Sequence, residues 1–586
     1  MDYLLVMVLI LDIILAIVVF GITAICAAPV VFYMAPRARW LSKVLLSSVF
    51  GFAIIIIAGA LSVLLGVSPM MLQGGIVLLG VILFLRDWKK IVGPGDTRLD
   101  REDWIALAIT SLYLLLCLFY FDRIIIWMGG DALAHAEIIR MLLDGRPVPV
   151  SIPPLGSYWE YYPKGFHLFC YLWARVFPLL DVVRTIPVLI TAITTMLLYS
   201  IVREMGRRDV AVYALLLACF VFSAHYSNLI WAGYPTITAE MFLVASLLAV
   251  PVDRRLLPVF LLGVLFGHAR LLALAGGVLL LWMAAIHSGR CCHFVRQRSA
   301  AKIIIAAVAA GMVAVLAHVA HGPQFLTSVL SDQSLASAYA ARWYPAFLSL
   351  FGAVIAFIRR DRMDHLALTW AAAIVLIMLL ADVGPLGFVG TADRLLLGLY
   401  LPLSLLAAIA LSKMDGASLQ VRAGFMIILA LCGILAMFAV FHSFAGSWGL
   451  PQEDYRAIKW LEEQNYSDAV CINLDETGAW VYPIAGIGVA NSRMWTASAP
   501  FDPGLIPRII ADPGNPDVVN ALGSFSPARC LIYISNVSLS RPGYVPPFAE
   551  YLQAYPVVNL SYPEDRYDLI YHNGTYIFGF PKGAFV

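Results

Sequence analysis

The stretch Trp104–Gly145, WIALAITSLYLLLCLFYFDRIIIWMGGDALAHAEIIRMLLDG, holds two kinds of helix in one run. From Trp104 to Phe121 the apolar residues are nearly continuous, without the polar stripe of a helix on a water-soluble domain. About 20 such residues cross the hydrocarbon core, because a helix rises ~1.5 Å per residue through ~30 Å. Beyond Gly129 and Gly130 the pattern changes. Leu133, Ile138, Met141 and Leu142 recur at helical spacing, while Asp131 and His135 stand one turn apart on one face. The stretch predicts a span that empties into a polar loop carrying an amphipathic helix.

The whole chain agrees with that reading. Of its 586 residues, 61% are hydrophobic and 13% charged, and the mean hydropathy is +0.85. Water-soluble domains carry about 25% charged residues, so the bilayer is the main solvent here. A formal net charge of +2 is too small to draw nucleic acid, and no nucleic-acid partner is expected. The nine cysteines lack metal-ligand spacing. Only Cys471 and Cys530, both in the tail, suit a disulfide, which an extracytoplasmic location permits without requiring. No basic n-region or small-residue cleavage site accompanies the first apolar run, so Leu4–Ala28 reads as a retained span.

Some fourteen candidate spans follow, near 4–31, 42–65, 69–86, 104–121, 184–202, 209–228, 236–252, 256–268, 271–287, 302–320, 344–358, 365–382, 394–412 and 422–441. Basic clusters fall on every second connection, among them Arg37/Arg39/Lys43, Arg98/Arg101, Arg203/Arg207/Arg208, Arg254/Arg255 and Arg359/Arg360/Arg362. That bias marks those loops as cytoplasmic. The expected topology is a multi-pass cell-membrane protein with both termini extracytoplasmic and a large first outer loop at 122–183. Within it, Gly165–Pro178 is apolar enough to cross, yet counting it would turn the Arg203 cluster outward. It reads as an interfacial helix, with Tyr171, Trp173 and Arg175 at headgroup level.

After Phe441 the composition shifts. Asp454–Glu463 has helical spacing, and Ala469–Asn473, Cys530–Ile534 and Tyr567–Ile570 read as strands among Pro/Gly turns. Four Asn-x-Ser/Thr sequons, at Asn465, Asn536, Asn559 and Asn573, fall on the same outer side. The expected fold class is mainly α: a polytopic helical membrane protein with extra helices in 1–103, a membrane module over 104–441 and an extracytoplasmic α+β domain over 442–586.

Asp131 has two readings, a helix N-cap or a general base that takes a proton from an acceptor hydroxyl. Tyr158–His167 (YWEYYPKGFH) gathers aromatics around Glu160, Lys164 and His167, as an anchoring belt or as surfaces for stacking sugars. Arg270, Arg342 and Arg394 stand on outer connections against the positive-inside bias. There they grip a lipid phosphate or pair locally, Arg394 with Asp393 or Asp382. Glu240, near the outer end of a span, is either a partner for one of these arginines or a second acid of the site.

In their order along the chain these features resemble the GT-C superfamily of glycosyltransferases. The span 104–121 enters the long outer loop, Gly-Gly-Asp131 lies just beyond it, and Pro163-Lys-Gly-Phe-His167 opens the interfacial helix. Val183-Arg-Thr-Ile-Pro187 starts the next span, Gly233-Tyr-Pro-Thr236 precedes a later outer-facing acid, and Gly267-His-Ala-Arg270 is similar to the family's polar turn. The resemblance covers roughly 104–412. It implies a sugar donor linked to a polyprenyl phosphate, inverting transfer at the extracytoplasmic face, and an acceptor hydroxyl on protein, lipid or glycan. By position it makes Asp131 the base and Arg270, Arg394, His268 and Arg342 the grip on the donor phosphate. His135, Glu160, Tyr161, Tyr162, Lys164 and Glu240 become the acceptor and sugar contacts. Membrane lipids and the lipid-linked donor are the implied partners, and the sequons suit an archaeal surface-glycosylation enzyme. The chain departs from the family in its three extra N-terminal spans and in lacking Asp-x-Asp in the loop and Trp-Trp-Asp-Tyr-Gly in the tail. Those absences argue against oligosaccharyltransferase activity and leave a divalent metal open. The alternative is a transporter or flippase of a lipid-linked or polar solute, which would place ionisable groups near mid-span rather than at the outer ends.

Overall fold

In the computed structural model of the chain the described residues are 3–93, 99–123, 130–145, 164–222, 229, 232–291, 343–381, 398–413, 419–448, 450–464, 466, 469–473, 476–489, 529–535, 568–573 and 575–579. Apolar runs become long helices because the hydrocarbon core offers backbone amides no partner except their own carbonyls. Four such helices open the chain: α1 (Tyr3–Met34), α2 (Trp40–Leu64), α3 (Pro69–Ile91) and α4 (Arg101–Arg123). Two short helices, α5 (Gly130–Leu143) and α6 (Gly165–Ala174), precede α7 (Leu179–Glu204). Next come α8 (Arg208–Leu216), which runs into a π-turn at Leu217–Val221, α9 (Tyr234–Val252) and α10 (Leu257–Cys291). Four more follow: α11 (Trp343–Arg359), α12 (Arg362–Ala381), α13 (Tyr400–Leu411) and α14 (Leu419–Trp448). Among the described residues six helices are long and apolar enough to cross a membrane, α1 to α4, α7 and α9. Leu271–Ile286, Leu348–Arg359, Tyr400–Leu411 and Gly424–Phe438 are shorter apolar helices, and the expected span at 302–320 lies outside the described residues.

The basic connections meet at one end of the bundle. Arg39, after α1, bonds Asp100 at 2.9 Å and Asp103 at 2.7 Å before and within α4, and its backbone N–H donates to Glu204 at the close of α7. Arg203, almost fully buried, shares Asp100. Burial alone would raise the Asp100 carboxyl, but the hydrogen bond from Arg39 and the charge of Arg203 hold it well below the usual carboxylate range. Nearby, Arg207 joins the start of α8 to Asp361 between α11 and α12 at 2.7 Å, and Arg255 donates to Met34 O at 3.0 Å. Five of the connections that the charge pattern groups together are therefore physical neighbours.

Polar side chains fasten the helices within the apolar bulk, where few alternative partners exist. Thr23 of α1 and Ser48 of α2 bond at 2.9 Å, and Tyr113 of α4 donates to Thr191 of α7 at 3.1 Å. Gly51 lets α2 lie against the Thr23 carbonyl, where any Cβ would collide. Gln73 of α3, fully buried, donates from Nε2 to Ile55 O at 3.1 Å and Leu168 O at 2.8 Å, tying α2 and α6 together. This placement corrects the interfacial reading of Gly165–Pro178. The helix has only ten residues, all buried from Gly165 to Trp173, and Phe169 stacks on Phe52 of α2 at 3.9 Å. Tyr171 and Trp173 sit 2% and 4% exposed, so they pack within protein rather than at headgroups. The reason is steric as much as apolar: Gly165 has no Cβ and abuts the Phe266 carbonyl of α10.

The tail opens with α15 (Gln452–Glu463) and β1 (Ala469–Asn473), followed by two short helices, α16 (Glu476–Ala479) and α17 (Val481–Ala485). Four strands complete it, β2 (Gly488–Val489), β3 (Arg529–Ile534), β4 (Asp568–His572) and β5 (Tyr576–Gly579). The sheet order is β2-β1-β3-β5-β4, with β1 parallel to β2 and β3 and with β5 antiparallel to β3 and β4. Asp454 of α15 closes the sheet face, accepting from Tyr533 at 3.0 Å and Thr575 at 2.6 Å. Register pairs Cys530 with Val470, one position out of step with Cys471, an arrangement a disulfide between neighbouring strands does not suit.

Candidate active site

At the end of the bundle opposite the arginine clusters, α5, α6 and the start of α9 converge. Asp131 lies in the first turn of α5, half-buried. His135 follows one turn later and is fully buried. Its Nε2 meets Ala232 O at 2.8 Å and its Nδ1 meets His167 Nε2 at 2.8 Å. Burial pushes His135 down to about 3, with the Ala232 carbonyl opposing and the Lys164 charge adding to the fall. Burial, His135 and Lys164 likewise hold His167 well below the ordinary histidine value. Both rings are therefore neutral, and the tautomers follow by elimination. A carbonyl only accepts, so His135 Nε2 carries the proton and Nδ1 accepts from His167 Nε2–H.

The walls are aromatic. Tyr234 stands 5.2 Å from the His135 ring and 5.2 Å from Phe166, centroid to centroid, and the Asp131 carboxylate acts on its phenol. Ala232, whose carbonyl receives His135, has φ +58°, a left-handed conformation costly for a residue with a Cβ. Such local strain gathers where surrounding packing overrides it. Lys164 caps the start of α6, half-buried, with its charge felt by both histidines.

The structure thus brings together Asp131, His135 and Lys164 of the expected residues. His135, however, uses both ring nitrogens inside the protein, which leaves none for a sugar hydroxyl. Glu240 lies two turns into α9, facing a separate, small cavity lined by Leu243, Leu271, Leu274, Trp370 and Leu401. It is 5% exposed, and its Oε2 has no hydrogen-bond partner among the described residues. His268 is buried at the point where α10 leaves helical geometry, at φ −159° and ψ 101°. The chain reverses there, since Trp282 further along donates to Arg362 O at the arginine-rich end. Gly267 permits the reversal to touch Ala239 of α9. Arg270 follows the reversal in α10, with its side chain outside the described residues, as are Glu160, Tyr161, Tyr162, Arg342 and Arg394 entirely. Among the described residues no three His, Cys, Asp or Glu side chains gather as a metal site requires. His167, which stands with Glu160 and Lys164 in the Tyr158–His167 cluster, and Tyr234, legible only as a member of the Gly233–Thr236 motif, complete the site.

No protein-family model matches the chain, and no curated protein matches it. Among solved structures it is similar to the Archaeoglobus fulgidus oligosaccharyltransferase. The crystal structure of that protein with Zn and sulfate aligns at TM-score 0.36 and 13% identity, over 79% of this chain and 71% of that one. Its apo form aligns at 0.36 and 13%, over 74% and 70%. The form tethered to an acceptor peptide with the NVT sequon gives 0.37 and 12%, over 76% and 71%. A likeness of this strength determines neither fold nor chemistry.

Proposed function

We propose that the chain is a membrane glycosyltransferase that moves a sugar from a polyprenyl-phosphate donor to an acceptor hydroxyl at the extracytoplasmic face, inverting, with Asp131 as general base. The observation that carries the reading is the setting of Asp131. Its half-buried carboxylate sits at the start of a buried helix, beside Tyr234 and one turn from a neutral histidine pair, at the end of the bundle away from the arginine clusters. A carboxylate so placed can accept a hydroxyl proton as the glycosidic bond forms. The Lys164 ammonium nearby supplies positive charge toward a phosphate leaving group. Arg270 and Arg394 are proposed to hold that phosphate, with Glu240 on the acceptor side. Membrane lipids and the lipid-linked donor are the proposed partners, and the extracytoplasmic side is assigned from positive-inside bias.

The test is transfer of radiolabelled sugar by the purified protein from a panel of polyprenyl-phosphate donors to acceptors from the source cells. Asp131→Asn is expected to lower transfer by 10²-fold or more, the lower range for a lost general base. Transfer undiminished in Asp131→Asn would move the base elsewhere.

A further inference from the structure

The far end of α5 is gripped by the C-terminal domain. Asp144, just after the helix, accepts from Arg140 Nε through Oδ1 at 3.0 Å and from the Tyr482 hydroxyl of α17 through Oδ2 at 3.0 Å. Gly486, the left-handed residue at φ +74° that closes α17, lies against the Arg140 guanidinium, where a Cβ would come within 2.5 Å of Nη2. Arg175, beyond α6, donates to Leu143 O at 3.1 Å in the same junction. A second contact steadies the approach: Lys459 and Tyr455 of α15 lie within electrostatic reach of Asp181 at the start of α7.

We infer that the C-terminal domain is a positioning element for the candidate base, acting through Tyr482, Asp144, Arg140 and Gly486. The inference rests on the proposed role of Asp131. Asp144 follows His135 by about 13 Å along the helix axis. The hydrogen bonds of His135 and the burial of Ala132 to Ile139 hold the first part of α5. The Tyr482 bond supplies a second point, and two points fix the tilt. Asp131 lies about 6 Å on the other side of His135, so a tilt of about 10° about that residue shifts the carboxylate by roughly 1 Å, a displacement that costs about 10²-fold in rate when it separates reacting groups.

The experiment compares the full-length protein with Tyr482→Phe, which removes one hydroxyl, and with Gly486→Ala, which displaces Arg140. Hydrogen exchange is read in peptides covering 131–143 and in the strands β1 and β3, and transfer is measured with polyprenyl-phosphate donors. Exchange in α5 is expected to quicken several-fold in both variants while the strands keep wild-type protection, and kcat to fall about tenfold with the donor KM unchanged. Unchanged exchange in Tyr482→Phe overturns the grip. Faster exchange with unchanged kcat, where Asp131→Asn abolishes transfer, overturns the positioning role. If Asp131→Asn retains transfer, the proposed base fails instead, and exchange alone decides the grip.

Discussion

Burial keeps His135 neutral, and the one proton it carries is committed to the Ala232 carbonyl. An unfolded chain would protonate both His135 and His167 near pH 6.5, whereas the folded chain does so only well below it. Between those limits the unfolded state binds more protons, so stability is complete above pH 6.5 and is lost as pH falls, by up to about 1.4 kcal/mol per pH unit for each ring. The melting temperature of the purified protein is expected to drop between pH 7 and pH 5, and the His135→Asn/His167→Gln protein to show a shallower drop. An identical slope in the two would place the acid sensitivity elsewhere. At this scale the sequence was only half legible. Asp131 and His135 share a helix, so spacing alone joined them. His167 belongs to another helix, and its bond to His135 depends on how α6 seats against α10 and α2, which no local pattern encodes.

Elements were read more fully because a bilayer constrains them more than it constrains side chains. An apolar run without a polar stripe has one stable form in hydrocarbon, and α1 to α4, α7 and α9 follow from theirs. The stretch Gly165–Pro178 reads as interfacial because counting it as a span turns the Arg203 cluster outward, and its aromatics and arginine suit a headgroup layer. What buries it is the missing Cβ of Gly165 and the amide of Gln73, neither of which is a periodic signal. Gly165→Ala is therefore expected to drive α6 from the Phe266 carbonyl, costing about 1–3 kcal/mol of stability as overpacking does. Because Lys164 and His167 ride on that helix, transfer activity should fall with it, as a thermal-shift assay and the sugar-transfer assay run on one preparation will show. Wild-type values in both would mean that the two helices have slack.

Across the molecule, the arginine clusters at one end and the α5, α6 and C-terminal domain contacts at the other define an axis. Every second connection is basic, and the ion pairs of Arg39, Arg203 and Arg207 bring those connections together. Short basic loops are retained on the cytoplasmic side, so this end is expected to face the cytoplasm. The tail is then expected to lie outside, since Tyr482 reaches Asp144 at the other end. Arg101, exposed at the start of α4, and Asn573, exposed after β4, sample the two ends. With single cysteines at these positions, an impermeant maleimide should label Asn573→Cys on intact cells and Arg101→Cys only after permeabilisation. The reverse pattern would turn the whole axis over, and the site at Asp131 would then open to a cytoplasmic donor, whose sugar chemistry is that of soluble activated nucleotides rather than of lipid-linked sugars flipped outward.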